Sequence, residues 1–152
     1  MPESIKTKIL RYGFNLYPAY CGTGGRITYI ASDWREVHVK LTLSWRTRNY
    51  VGTIYGGSMY GSVDPVYMLM LIKILGPEYI VWDKAASIRF KKPGNTALFA
   101  KFIIIDEELN VIKTALATLP SVERVYHVEL VDAEGVVHAT IDKTLYIKKR
   151  HR

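Results

Sequence analysis

From Arg35 the chain alternates. Val37, Val39, Leu41, Leu43 and Trp45 fall on one side, with His38, Lys40, Thr42 and Ser44 on the other. A period of two predicts a half-buried strand. The preceding GRITYIAS predicts its hairpin partner, turned at Asp33 and Trp34. Gly57 to Leu75 is instead apolar on nearly all sides, which predicts a helix buried in the middle of the molecule. Lys73 suits the negative end of that helix, and Gly76 and Pro77 stop it. Ser4 to Leu16 predicts a short helix with Ile5, Ile9 and Leu10 on one face, and YPAYCGTGG after it a loop. Further on, YIVWDKAASIRF and TALFAKFIII read as strands separated by a turn at KKPGN. DEELNVIKTALATL reads as a helix, with Asp106 as its cap, Glu107 and Glu108 in its first turn and Pro120 past its end. The last two strands, RVYHVELVD and VVHATIDKTLYIKK, are joined through DAEG as a hairpin.

Strands that do not alternate regularly with helices exclude a parallel doubly wound sheet. One long apolar helix with about six antiparallel strands predicts an α+β layer whose sheet curls around the helix. No repeat, linker or low-complexity stretch divides the chain. The expectation is one domain over 1–152, with an N-terminal helix and loop over 1–24 and a basic tail over 148–152.

Composition narrows the classes. At 152 residues, 49% hydrophobic and 23% charged, the chain can bury a real core and is not disordered. Its lone cysteine, Cys21, excludes an internal disulfide framework and fits a reducing compartment. The first residues lack the apolar core of a signal peptide, and the run Val66 to Ile72 is too short to cross a bilayer. The expectation is a cytoplasmic protein with no membrane partner. A formal charge of +7 favours anionic partners: nucleic acid, an acidic membrane surface or phosphate-bearing small molecules.

Several motifs fail on their own chemistry. GTGG at 22–25 has no Lys-Ser or Lys-Thr after it and opens no helix, so it is no phosphate loop. His38, His127, His138 and His151 lack metal-ligand spacing, and the first three read as strand histidines; no metal or cofactor is expected. No serine sits in a nucleophile elbow. Basic residues interleaved with aromatics in WRTRNY and SIRFKK suit single-stranded nucleic acid, but strands of a basic protein produce them too.

The informative stretch is RNYVGTIYGGSMYGSVDP, residues 48–65. A helix opening at its glycine pair presents unsatisfied N–H donors with partial positive charge, and a residue without Cβ lets a substrate oxygen reach them. That is equipment for polarising a carbonyl. Asp64 follows Gly57 by seven residues, about two helical turns, and so falls on roughly the same face. A carboxylate in an apolar helix is costly unless paired, with Lys84 or Arg89 as structural partners, and it can act as base or nucleophile. Pro65 removes a helical N–H beside it and predicts a bend.

Asn49, Gly52, Gly56, Gly57 and Asp64 carry a spacing that resembles the hotdog-fold acyl-CoA thioesterases of the phenylacetate-pathway type. GTIYGG and LGPEYIVWDKAASIRFKKPG look closer still to a hotdog branch known as a domain of unknown function. The resemblance spans roughly residues 25–147. It implies a hotdog fold, a homodimer or homotetramer paired edge to edge, and sites at the subunit interface. It also implies a hydrolase of acyl-CoA or acyl-pantetheine, coenzyme A entering only as part of the substrate. Carried over, the N–H of Gly56 polarises the thioester carbonyl, Asp64, supplied across the interface, activates water or attacks, and Asn49 helps orient the water or the carboxylate. Asp83 stands where a secondary polar residue sits. Tyr55 replaces the family's histidine and takes its positioning role through a hydroxyl. Gly57, Met59, Tyr60 and Tyr67 are expected to line an acyl slot, and Arg89, Lys91 and Lys92 to meet coenzyme A phosphates. The rival expectations are an acyl-CoA-binding protein that lost turnover with its histidine and a basic nucleic-acid-binding protein.

Overall fold

The computed structural model describes residues 1–151. Along the chain run α1 (Ile5–Leu16), α2 (Pro18–Cys21), β1 (Gly25–Ile30), β2 (Glu36–Leu41), α3 (Gly56–Val63), α4 (Val66–Leu75), β3 (Tyr79–Phe90), β4 (Leu98–Ile103), α5 (Asp106–Thr118), β5 (Val122–Val131) and β6 (Val137–Lys149). The strands form one antiparallel six-stranded sheet in the order β1-β2-β4-β5-β6-β3. Neighbours in sequence are therefore not always neighbours in space. β3 crosses to pair with β6 along its whole length, from Tyr79 opposite Lys149 to Phe90 opposite Ala139.

The sheet wraps α3 and α4, one helix broken in the middle. Pro65 has no N–H to donate, and the regular helix stops at Val63 and resumes at Val66. The break is tied down from outside by Tyr20, whose hydroxyl donates to the Ser62 carbonyl at 2.7 Å. Val66, Tyr67, Met70, Leu71 and Leu75 of α4 are buried under the sheet, while Ile72 and Lys73 reach the surface, so its apolar surround is not wholly enclosed. α3 comes so close to β1 that a Cβ on Gly25 would lie 2.6 Å from Ser62 Cβ and 2.9 Å from its Cα. Glycine is required there by contact, not by conformation.

Three local expectations are corrected. Ile5 and Ile9 of α1 face outward, and the packed face is Thr7, Leu10, Arg11 and Phe14. The alternating strand ends at Leu41, and Trp45 is exposed on a loop, because Thr47 turns the chain there: its Oγ1 donates to the Thr42 carbonyl and accepts from Ser44 N–H. Asp106 does not cap α5. Ile105 occupies the cap position without a side-chain bond, and the Asp106 carboxylate pairs with Arg35.

Candidate functional site

The loop over 42–55 delivers the N-terminus of α3. Asn49 builds it: its Oδ1 accepts from Val51 N–H (3.1 Å) and Thr53 N–H (3.0 Å), and its Nδ2 donates to Thr53 Oγ1 (2.9 Å). Gly52 turns the loop at φ +84°, a value side chains rarely adopt. Ile54 N–H then donates to the Gly94 carbonyl and Tyr55 N–H to that of Thr47, at 2.8 and 2.7 Å, fixing Tyr55 as the helix cap. The facing wall is the segment after β3. His138 holds it, its carbonyl accepting from Lys91 and Lys92 N–H and its Nδ1 bonding the Pro93 carbonyl at 2.9 Å, while Nε2 meets Asp132. Between the walls lies a groove of about 420 Å³, lined among others by Asn49, Gly56, Met59, Phe90, Lys91 and Lys92.

Gly56 and Gly57 open α3 with no side-chain cap, and among the described residues neither N–H finds an acceptor. These are free donors at the positive end of a helix dipole, and Gly56 faces the groove. Aromatic rings press on both glycines. An added Cβ would meet Phe90 Cζ at 3.0 Å above Gly56 and Tyr55 Cε1 at 2.4 Å above Gly57.

Two turns along, Asp64 enters a charged cluster. Lys143 of β6, 1% exposed, donates to Asp64 Oδ1 at 2.5 Å and to the Tyr60 hydroxyl at 3.2 Å. Tyr60 in turn donates to the same Asp64 oxygen at 2.7 Å. Asp64 Oδ2 has no hydrogen-bond partner among the described residues. Lys143 also pairs with Asp83 Oδ1 at 3.0 Å, and that buried oxygen has no other partner among the described residues. Burial raises the Asp83 pKa above the usual carboxylate range, and the nearby ammonium offsets only part of this. Burial alone would lower the Lys143 pKa, but Asp64, Asp83 and Tyr60 together hold it above the ordinary lysine value. Burial first, then donation to Asp64, raises that of Tyr60.

The predicted residues thus separate into two groups. Asn49, Gly56, Met59, Lys91 and Lys92 share the groove, whereas Tyr60, Asp64 and Asp83 share the charged cluster. Tyr55 is exposed and lies over Gly57. Arg89 is exposed on β3. Tyr67 sits in the core: its ring stacks on Tyr126 at 4.8 Å, its hydroxyl donates to the His127 carbonyl, and burial pushes its pKa up to about 12. The partner of Asp64 is neither Lys84, which pairs with Glu123, nor Arg89, but Lys143. Lys143 escaped the motif reading, although a signal existed. Ala139, Ile141, Leu145 and Ile147 define the inward face of β6, and Lys143 occupies that same register. Phe90 was missed because only the crossover of β3 brings it over Gly56.

A broken central helix wrapped by an antiparallel six-stranded sheet defines the hotdog fold. Solved structures share it across nearly the whole chain. A Pseudomonas aeruginosa protein of unknown function, described as a probable thioesterase, superposes with a TM-score of 0.83 at 16% identity, covering 99% of each chain. A thioesterase from Haemophilus influenzae gives 0.72 at 14% identity, covering 97% of this chain and 93% of that one. A Chlorobaculum tepidum protein with unknown function gives 0.75 at 13%, with 95% of both covered. At such identities the likeness is one of fold. The chain itself belongs to the family described as Domain of unknown function (DUF4442), whose model matches residues 6–147. No curated protein matches it.

Proposed function

We propose that this protein hydrolyses an acyl thioester carried on coenzyme A or a related pantetheine. The observation that carries the reading is the state of Asp64: one oxygen is anchored by Lys143 and Tyr60, and the other is free for water. In this scheme water attacks the thioester carbonyl carbon as Asp64 takes its proton. The carbonyl oxygen becomes an oxyanion held by Gly56 N–H, the C–S bond breaks, and sulfur leaves with the proton returned by Asp64. Asn49 sets the loop that places Gly56, Tyr55 offers a hydroxyl to the substrate, and Lys91 and Lys92 offer charge to its phosphates.

Gly56 and Asp64 lie eight residues apart on one helix, about 12 Å at the α-helical rise, too far to serve one carbonyl. The scheme therefore needs two copies, Gly56 from one and Asp64 from the other. β3 supports such pairing. It ends the strand order with a free edge, and its exposed Ala85, Ala86 and Ser87 are small enough for another backbone to approach.

Thiol release from short, medium and aromatic acyl-CoAs tests the reading. Wild type should turn over at least one of them, and Asp64→Asn should lower kcat roughly a hundred- to ten-thousandfold with little change in KM. One observation favours a second reading, an acyl-CoA-binding protein without turnover: Tyr55 stands in place of the family's histidine. Acyl-CoA binding by a wild type that releases no thiol would select it.

A further inference from the structure

The outward face of α1 is apolar where a surface helix should be polar. At about 100° per residue, Ile5, Ile9, Tyr12 and Leu16 form one stripe opposite the packed face of Thr7, Leu10, Arg11 and Phe14. The stripe is open to solvent, at 81%, 66%, 49% and 77% exposure in that order. Lys6 and Lys8 flank it, one on each side, both exposed. It continues onto a second element. Tyr12 and Leu16 share a cleft of about 360 Å³ with Arg26 and Arg46, and next to Arg46 stands Trp45 at 87% exposure. Trp45 projects from a turn that the buried Thr47 closes through the Thr42 carbonyl.

Charge identifies what covers this face. From Ser4 to Ser32, and again from Val37 to Val63, the chain has no carboxylate. Of the acids close by, Glu3 is held by Arg11, and Asp33 lies in a cleft with Thr7 and Leu10, on the packed side of the helix. An exposed Trp and Tyr beside aliphatic side chains, ringed by Lys and Arg, match the chemistry of an anionic lipid surface: rings at headgroup depth, aliphatics below, cations on phosphate. Among the described residues no helix is long and apolar enough to cross a membrane; an amphipathic helix with a basic rim binds by lying in the interface. β1, against which α1 packs, is also at the opposite end of the strand order from the free β3 edge. We propose that α1 and the Trp45–Arg46 turn dock this protein reversibly on anionic membranes, apolar stripe down.

The test is independent of turnover. Wild type is sedimented with vesicles of phosphatidylcholine alone and of equal parts phosphatidylcholine and phosphatidylglycerol, at low and high salt. The expected result is binding to the mixed vesicles only, weakened by salt, with a blue shift of tryptophan emission that Trp45→Phe removes. Of the other two tryptophans, Trp34 is buried, and Trp82, exposed and stacked on Tyr146, lies on β3 at the other end of the strand order. Replacing Lys6, Lys8 and Arg46 with Gln should weaken binding by about fivefold per charge, roughly a hundredfold in all. Ile9→Ser with Leu16→Ser should abolish binding while leaving the melting temperature unchanged, because both side chains are exposed. Failure of wild type to bind the mixed vesicles, or binding unaltered by the serine pair, overturns the proposal. So does a wild-type particle that becomes smaller with the serine pair, which would assign the face to a second copy of the chain.

Discussion

Lys143 decides the chemistry of its neighbourhood more than any other side chain. A buried ammonium between two carboxylates is tolerated because its partners return the lost hydration, and removing it leaves Asp83 and Asp64 uncompensated. Lys143→Met should therefore lower unfolding free energy by about 3 kcal/mol in urea titration, and adding Asp83→Leu should recover much of that loss. The pH dependence has a definite sign. The folded-state pKa of Lys143 is raised, so its contribution is fully present below the unfolded lysine value and is lost as pH rises through the folded one. Wild type should lose stability on the alkaline side where Lys143→Met does not, a difference that thermal melts across that range would expose. Sequence gave reason to single out Asp64, an acid inside an apolar helix. It pointed to the wrong partners, because the nearest cations along the chain are not the nearest in space.

Among the elements, two contacts bear the most. The approach of β1 to α3 at Gly25 leaves no room for a methyl group, since the obstructing atoms include the Ser62 backbone. Gly25→Ala should destabilise by about 2 kcal/mol, lowering Tm by about 6 °C in calorimetry. The other contact ties α5 to β5. Glu108 accepts from Arg124 through both oxygens, at 2.8 and 2.7 Å, and from the Tyr126 hydroxyl at 2.7 Å. Burial alone would raise the Glu108 pKa, but these donors outweigh it and hold it below the usual value. A depressed carboxylate contributes stability above its unfolded pKa and loses it as pH falls through the folded one. Glu108→Gln should thus be less stable than wild type at neutral pH, by about 2 kcal/mol, with the gap closing in acid melts. Boundaries of β3 and α5 and the end of α4 were legible to within a residue or so, since periodicity and the breakers Gly76 and Pro120 act locally, while Pro65 was legible as a bend in one helix. The outward turn of Ile5 and Ile9 was not, because two apolar stripes on one helix compete and only the neighbours choose between them.

At the scale of the molecule, the proposed reaction depends on pairing through β3. Ser87→Lys places a charge on the free edge opposite Asp142 of β6, on the face away from Lys143, and it should shift the particle toward monomer in sedimentation velocity. Under the proposed scheme the same substitution should abolish thioester turnover, because Gly56 and Asp64 of different copies would no longer meet. A monomer with full activity would refute that arrangement.

What the sequence alone determined is what depends on near neighbours: the elements, the break at Pro65, the uncapped glycine turn and the displaced acid. Those follow from backbone conformation, period and the cost of burying charge, all of which act within a few residues. Tertiary structure alone decided the strand order that carries β3 across to β6, and with it the meeting of Asp64, Asp83 and Lys143 and the placing of Phe90 over Gly56. These contacts join residues tens of positions apart, and they exist only because the sheet wraps one helix.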